Sequence, residues 1–126
     1  MRLLLDTVAF IWAMTSADRI SNKEMAALRS EATLREIIVV SLSEVAIKQS
    51  IGKLRIGKDE VLTGIADLRL RVLPYTANHA LHLFDLPAHH GDPFDRQIIA
   101  QALCEKIAVL TSDQKFSLYK GLRIVW

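Results

Sequence analysis

No apolar run in this chain approaches the ~20 residues that a membrane-spanning helix needs. The opening Met1-Arg2-Leu3-Leu4-Leu5-Asp6 also lacks the long apolar core of a signal peptide. Cysteine is nearly absent. The single Cys104 excludes a disulfide within one copy and favours a reducing compartment, where it reads as a small core residue. No glycine-rich phosphate loop and no G-x-S-x-G turn is present, which argues against nucleotide cradling and serine hydrolase chemistry. Internal repeats, low-complexity segments and linkers are missing too. Charge of one sign is scarce, with 16 Lys and Arg against 14 Asp and Glu, a net charge of +2 and a pI near 8.9. That balance permits a polyanionic partner without demanding one. These absences lead us to expect a soluble, cytoplasmic protein with no membrane role.

What is present is enough for a core. With 126 residues, 51% of them hydrophobic, the chain reads as one domain over residues 1–126. Leu3-Leu4-Leu5 reads as a buried strand, and Ile37-Ile38-Val39-Val40 as a second, β-branched throughout. Arg71-Val72-Leu73-Pro74-Tyr75 suits a strand with its proline at the end or on an edge. Ile107 to Leu110 and Leu122 to Trp126 complete the set. Between them, helical spacing marks Val8 to Met14, Lys23 to Ala32, Leu42 to about Ser50, Asp59 to Leu68 and Ala77 to Phe84. Gly52 and Gly57 bracket a turn. Trp12 and Trp126 read as core or interface aromatics. The alternation predicts an α/β fold, a mostly parallel central sheet sandwiched by helices.

The acids are the informative residues. In Gly91-Asp92-Pro93-Phe94-Asp95-Arg96-Gln97-Ile98-Ile99, Asp92 suits the cap of a helix and Pro93 its first position. Asp95, three residues on, is equally consistent with dipole stabilisation or with chemistry. Elsewhere "LLLD" ends in Asp6, "IIVVSLSE" reaches Glu44, and "IAVLTSD" reaches Asp113. In a parallel sheet the carboxyl ends of the strands share one edge, and the helix opened by Asp92 starts there as well. Capping explains any one of these acids, but four at a common edge point to a shared role. Clustered carboxylates repel and take up protons unless a cation sits among them. Lys48, one helical turn after Glu44, offsets one charge. The remainder calls for a hard divalent ion, Mg²⁺ or Mn²⁺, held by oxygen.

In order and spacing, "LLLDT", "SLSEVAIKQSIGKL", "HGDPFDRQIIAQA" and "VLTSDQKF" resemble the acidic motifs of PIN-domain nucleases, and most closely those of VapC-type toxins from type II toxin–antitoxin (VapBC) pairs. The likeness runs from Leu3 to Phe116. It implies a PIN-like three-layer fold and a catalytic, metal-binding quartet of Asp6, Glu44, Asp95 and Asp113. Asp92 would be an accessory acid and helix cap. Thr7, Thr111 and Ser112 would orient a water or a neighbouring carboxylate, or cap backbone groups. The family commonly has a histidine where this chain has Val8, and often an aromatic where it has Ser43. The resemblance further implies metal-dependent hydrolysis of RNA, leaving a 5′-phosphate and a 3′-hydroxyl. Lys48, Lys53, Arg55 and Arg96 are candidates to hold that RNA. A VapB-type antitoxin and a second copy of the chain are the implied partners. The apolar faces of Val8 to Met14 and Lys23 to Ala32 either receive an antitoxin helix or merely cover the sheet.

Other readings compete. His79, His82, His89 and His90 include an HxxH that would suit zinc, but no cysteine lies beside them and Pro87 interrupts the spacing. A Mg²⁺-binding receiver-like signalling domain also gathers acids at the ends of parallel strands, yet its usual phosphoacceptor is a mid-chain Asp where this chain offers Glu44. A housekeeping RNA-processing nuclease of the same fold would share the chemistry. A non-catalytic binding module of the same fold would gain nothing from the acids.

Overall fold

In the computed structural model, which covers residues 1–126, five parallel strands form one sheet. They are β1 (Arg2–Leu5), β2 (Leu34–Ile38), β3 (Arg71–Leu73), β4 (Ala108–Leu110) and β5 (Ile124–Val125), in the order β3-β2-β1-β4-β5. Leu3 to Leu5 are fully buried because β1 lies in the middle of the sheet, between β2 and β4. Six helices flank the sheet: α1 (Thr7–Thr15), α2 (Asn22–Arg29), α3 (Val39–Ser50), α4 (Lys58–Asp67), α5 (Ala77–Leu81) and α6 (Pro93–Glu105).

The alternation of side chains along each strand divides the core in two. Leu4, Ile38, Leu73 and Val109 pack on one face with Ile98, Ile99 and Ala102 of α6, and with Phe116 and Tyr119. Leu3, Leu5, Ile37, Ala108 and Leu110 pack on the other with Ala9 and Phe10 of α1 and Leu28 of α2. Half-buried Val61 and Ile65 of α4 join that second layer. The expected three layers are therefore observed. Ala9 and Phe10 of α1 and Leu28 of α2 cover the sheet, whereas Ala13 and Met14 of α1 line an open cleft with Thr63, Gly64 and Leu68.

Several boundaries differ from the sequence expectation. Val39 and Val40 do not extend β2; they open α3 directly, without a loop. Strand preference is worth only tenths of a kcal/mol per residue, and Val40 gains more by burial against the α6 layer. Conversely, β2 begins at Leu34, because Leu34, Arg35 and Glu36 pair with Arg2, Leu3 and Leu4 of β1. The segment expected as a helix to Phe84 is a five-residue helix followed by a 3₁₀ turn, His82–Asp85. The segment from Lys23 stops at Arg29, short of Ala32. β5 is two residues long, and β3 ends before Pro74.

At the left-hand half of the sheet, Glu36 is wholly buried on β2 and bonded from both neighbouring strands. Arg2 on β1 donates to it at 2.6 and 3.1 Å, and Arg71 on β3 at 2.7 Å. Arg2 also reaches Glu105 at the end of α6. Glu105 in turn receives the Gln101 amide and lies 3.1 Å from His79 Nε2. His79 Nδ1 accepts the Thr76 backbone N–H, so its other nitrogen is free to donate to Glu105. This network ties three strands to the carboxyl end of α6. That leaves the amino end of α6, with its acids, at the opposite edge of the sheet. No helix is long and apolar enough to cross a membrane.

Candidate active site at the carboxyl edge of the sheet

Asp6 follows β1 immediately and caps α1, its Oδ1 accepting the Ala9 backbone N–H at 2.8 Å. Thr111, just past the neighbouring β4, donates to Asp6 Oδ2 at 2.6 Å. The Thr111 hydroxyl also accepts the Asp113 backbone N–H at 3.0 Å. One threonine thus orients one acid and the backbone of the next. Asp113 caps a 3₁₀ turn, Gln114–Leu118, by accepting the Lys115 N–H at 2.9 Å. Three of the five acids in this region are therefore helix or turn caps, as capping alone would have it.

Asp92 is the third cap, whereas Asp95 and Glu44 cap nothing. Asp92 takes the cap of α6, its Oδ1 accepting from Phe94 N and Asp95 N at 2.9 Å each. Asp95, in the first turn, makes no capping bond, and its side chain is about one-fifth exposed. Glu44 lies on the helix expected there, on its second turn rather than its first because α3 starts at Val39 and not at Leu42. It is buried all the same, with Oε2 bonded to Lys48 Nζ at 2.6 Å and Oε1 without any partner. A buried carboxylate oxygen with no donor is costly unless something absent from the protein itself satisfies it.

Electrostatics show that these acids share one neighbourhood. Burial raises the Asp6 carboxyl from 3.8 to about 6, helped by the charges of Asp113 and Glu44 and opposed by the Thr111 and Ala9 hydrogen bonds. Burial likewise raises Asp95 to about 7, with Asp92, Asp6, Glu44 and Asp113 all contributing. Lys48 is held above its usual range by its bond to Glu44 against its own desolvation, and also by Asp92 and Asp95. An uncompensated excess of negative charge therefore faces one rim.

The rim is not a closed cage, however, since no three His, Cys, Asp or Glu side chains stand close enough to grip an ion unaided. Repulsion and separate tethers explain the spacing. Asp6 is held by Ala9 and Thr111, Asp113 by Lys115, and Glu44 by Lys48. The donor set is all oxygen, two of its carboxyls bind protons unusually tightly, and Glu44 Oε1 is unsatisfied. Those features fit a hard divalent cation, which Asp6, Glu44, Asp95 and Asp113 would hold.

The remaining sequence candidates separate clearly. Thr7 is buried and donates to Ser41 Oγ at 3.0 Å, so it braces α1 against α3 and contacts neither backbone nor acid. Ser112 is half-buried and enters none of these hydrogen bonds. Val8 and Ser43, the two departures from the family pattern, are both exposed beside Thr7 and Glu44. Lys53 and Arg55 are exposed on the turn after α3, where Gly52 adopts a left-handed conformation. Arg96 is not a free surface cation. Its guanidinium donates to Pro87 O at 2.8 Å, Leu86 O at 3.2 Å and the Tyr119 hydroxyl at 3.3 Å. Sequence reasoning missed Ser41, Tyr119 and the placement of His90, whose Nδ1 lies 2.7 Å from the Tyr119 hydroxyl. His90 directly precedes the "GDPFD" motif, which was the only available signal.

Comparison with known proteins bears on this geometry. The chain is similar in structure to one in VapBC2 from Rickettsia felis bound to a promoter DNA fragment: TM-score 0.74, 18% identity, 99% of this chain and 98% of that one covered. It is similar to one in DNA-bound VapBC from Salmonella typhimurium, with TM-score 0.67, 20% identity, and 99% and 97% covered. FitAcB from Neisseria gonorrhoeae gives TM-score 0.63 at 17% identity, with 98% and 96% covered. At such identities the likeness establishes the fold. No curated protein matches the chain by sequence. The profile of the PIN domain matches residues 3–122, from β1 through the segment leading into β5. On that match across nearly its whole length, the chain belongs to the PIN domain family.

Proposed function

We propose that this chain is a metal-dependent endoribonuclease, acting as the toxin of a type II toxin–antitoxin pair of the VapBC kind. One observation carries the reading. Acids from four separate segments feel one another's charge at a single edge, with Lys48 as the lone cation bonded among them and one Glu44 oxygen unsatisfied. A binding module would gain nothing from that arrangement. PIN-domain membership supports nuclease chemistry, and the likeness to chains of VapBC complexes supports an antitoxin partner. A second copy of the chain and a cytoplasmic setting belong to the same reading.

Asp6 and Asp95 would be the principal ligands of Mg²⁺ or Mn²⁺, with Glu44 and Asp113 completing the set or holding its waters. When bound, such an ion lowers the pKa of a water and neutralises charge building on the scissile phosphate. The protein's own contribution is orientation. Thr111 fixes the rotamer of Asp6 and the backbone of Asp113 together. Lys48 holds Glu44 by one oxygen and leaves the other for the rim. Lys53 and Arg55, exposed and without ion pairs, would be the candidates for phosphate contact, whereas Arg96 is committed to the loop before α6.

The test is cleavage of single-stranded and structured RNAs with Mg²⁺ or with EDTA, alongside Asp6→Asn and Asp95→Asn. Cleavage requiring Mg²⁺ and both acids supports the assignment. Cleavage surviving chelation or both substitutions refutes it. A housekeeping nuclease would share this outcome, and growth arrest on expression, relieved by a co-expressed antitoxin, distinguishes the toxin.

A further inference from the structure

The loop ahead of α6 carries a side chain that neither the core nor the acid set accounts for. The His90 ring is only 6% exposed and its Nε2 has no hydrogen-bond partner, although Asp95 Oδ2 lies 3.6 Å away. On its other side, Nδ1 is 2.7 Å from the Tyr119 hydroxyl. Counting hydrogens fixes the direction of that bond. Arg96 Nη1 lies 3.3 Å from the same hydroxyl, and a guanidinium can only donate. The Tyr119 oxygen is therefore already an acceptor, and its own hydrogen needs one. Tyr119 is 2% exposed, so water does not supply it, and the acceptor it meets is His90 Nδ1. Were the ring to donate through Nδ1 instead, the hydroxyl hydrogen would be buried without a partner. The neutral ring accordingly carries its proton on Nε2, the nitrogen that faces Asp95.

We propose that His90 is a positioning residue for Asp95: its Nε2–H, set in that tautomer by Tyr119 and Arg96, faces Asp95 Oδ2 across 3.6 Å and steadies that oxygen electrostatically, leaving Oδ1 for the cation of the acidic rim. The inference rests on the functional reading above only for the role of Asp95. Side-chain donors that face metal-binding carboxylates orient them, and their loss typically weakens metal affinity about 10–100-fold. Arg96 contributes twice. It anchors the loop through the Leu86 and Pro87 carbonyls and presents Tyr119 as a donor.

Two readouts test this without RNA. The first is the ¹⁵N shifts of the His90 imidazole in the metal-free protein, which report the tautomer. The second is Mn²⁺ binding followed by electron paramagnetic resonance for wild type, His90→Gln, His90→Asn and Tyr119→Phe. Gln places an amide N–H near the position of Nε2, whereas the Asn amide stops at that of Nδ1. We expect the Nε2–H tautomer, near-normal Mn²⁺ binding in His90→Gln, and binding weakened about 10–100-fold in His90→Asn. Tyr119→Phe, which removes one hydroxyl, keeps the comparison alive if His90→Asn melts early, and should release the ring to a mixture of tautomers. An Nδ1–H tautomer in the wild type, or Mn²⁺ binding in His90→Asn as tight as wild type, overturns the proposal. If the wild type shows the Nε2–H tautomer yet binds no Mn²⁺, the metal reading of the rim has failed while the donor line itself stands.

Discussion

Asp92 and Asp95 stand three residues apart at the start of α6 and divide the labour of that motif. Asp92 is exposed and satisfies two backbone N–H groups, whereas Asp95 caps nothing and is raised to about 7 by burial and by its acidic neighbours. Substitution should separate them. Asp92→Ala removes a helix cap and should cost about 1 kcal/mol in urea unfolding. Asp92→Ser, which retains a cap, should restore most of that and leave RNA cleavage within a few-fold of wild type. Asp95→Asn should instead leave the fold intact and reduce cleavage at least about 100-fold, more than loss of an outer hydrogen bond to a ligand would. Local spacing left Asp95 open between dipole and chemistry, and it took the other acids at the same edge and the family resemblance to assign it to the metal. The bonds of Arg96 were not legible either, since its acceptors are carbonyls of a loop whose path no local pattern encodes.

At the scale of elements, the apolar strands and the capped α6 were legible because periodicity and turn chemistry agree there. The junction of β2 and α3 was not. Four β-branched residues in a row, Ile37 to Val40, read as strand by preference, and only pairing with β1 shows that the strand lies earlier and includes Glu36. That glutamate is also the residue whose loss the elements should feel most. It is fully buried and bonded by two arginines on neighbouring strands. Glu36→Ala would remove the shared acceptor of two arginines whose side chains are themselves 34% and 58% exposed, and should cost about 1.5–3 kcal/mol in urea unfolding. Its distance from the acid rim predicts that whatever protein remains folded binds Mn²⁺ normally. Glu44 was expected just beyond a strand, early in the helix from Leu42; it does lie on that helix, which starts at Val39 and follows the strand without a loop.

For the molecule as a whole, the acid rim makes stability depend on pH in a definite direction. Asp6 at about 6 and Asp95 at about 7 both lie above the ordinary 3.8, so the folded chain binds these protons more tightly than the unfolded one. Stability from this source is present at low pH and is lost as pH rises through 6 and 7. For Asp6 alone, the loss between pH 5 and its folded value of about 6 is roughly 1 kcal/mol. The metal-free protein should thus melt lower at pH 8 than at pH 5. Mg²⁺ should reverse that at pH 8, by about 2.7 kcal/mol when present at 100 times its dissociation constant, and do little at pH 5, where protons occupy the same oxygens. A melting curve flat in pH and indifferent to Mg²⁺ would show that the rim holds no such excess charge.

The same linkage gives the most direct test of a shared ion. Mn²⁺ should be titrated calorimetrically into the RNA-free protein at pH 8 and pH 5, for wild type, Asp6→Asn and Asp95→Asn. Binding at pH 8 that is strongly weakened at pH 5, and lost in either variant, is the predicted result. No binding by the wild type, or binding that both variants retain, would contradict a common cation site at this edge of the sheet.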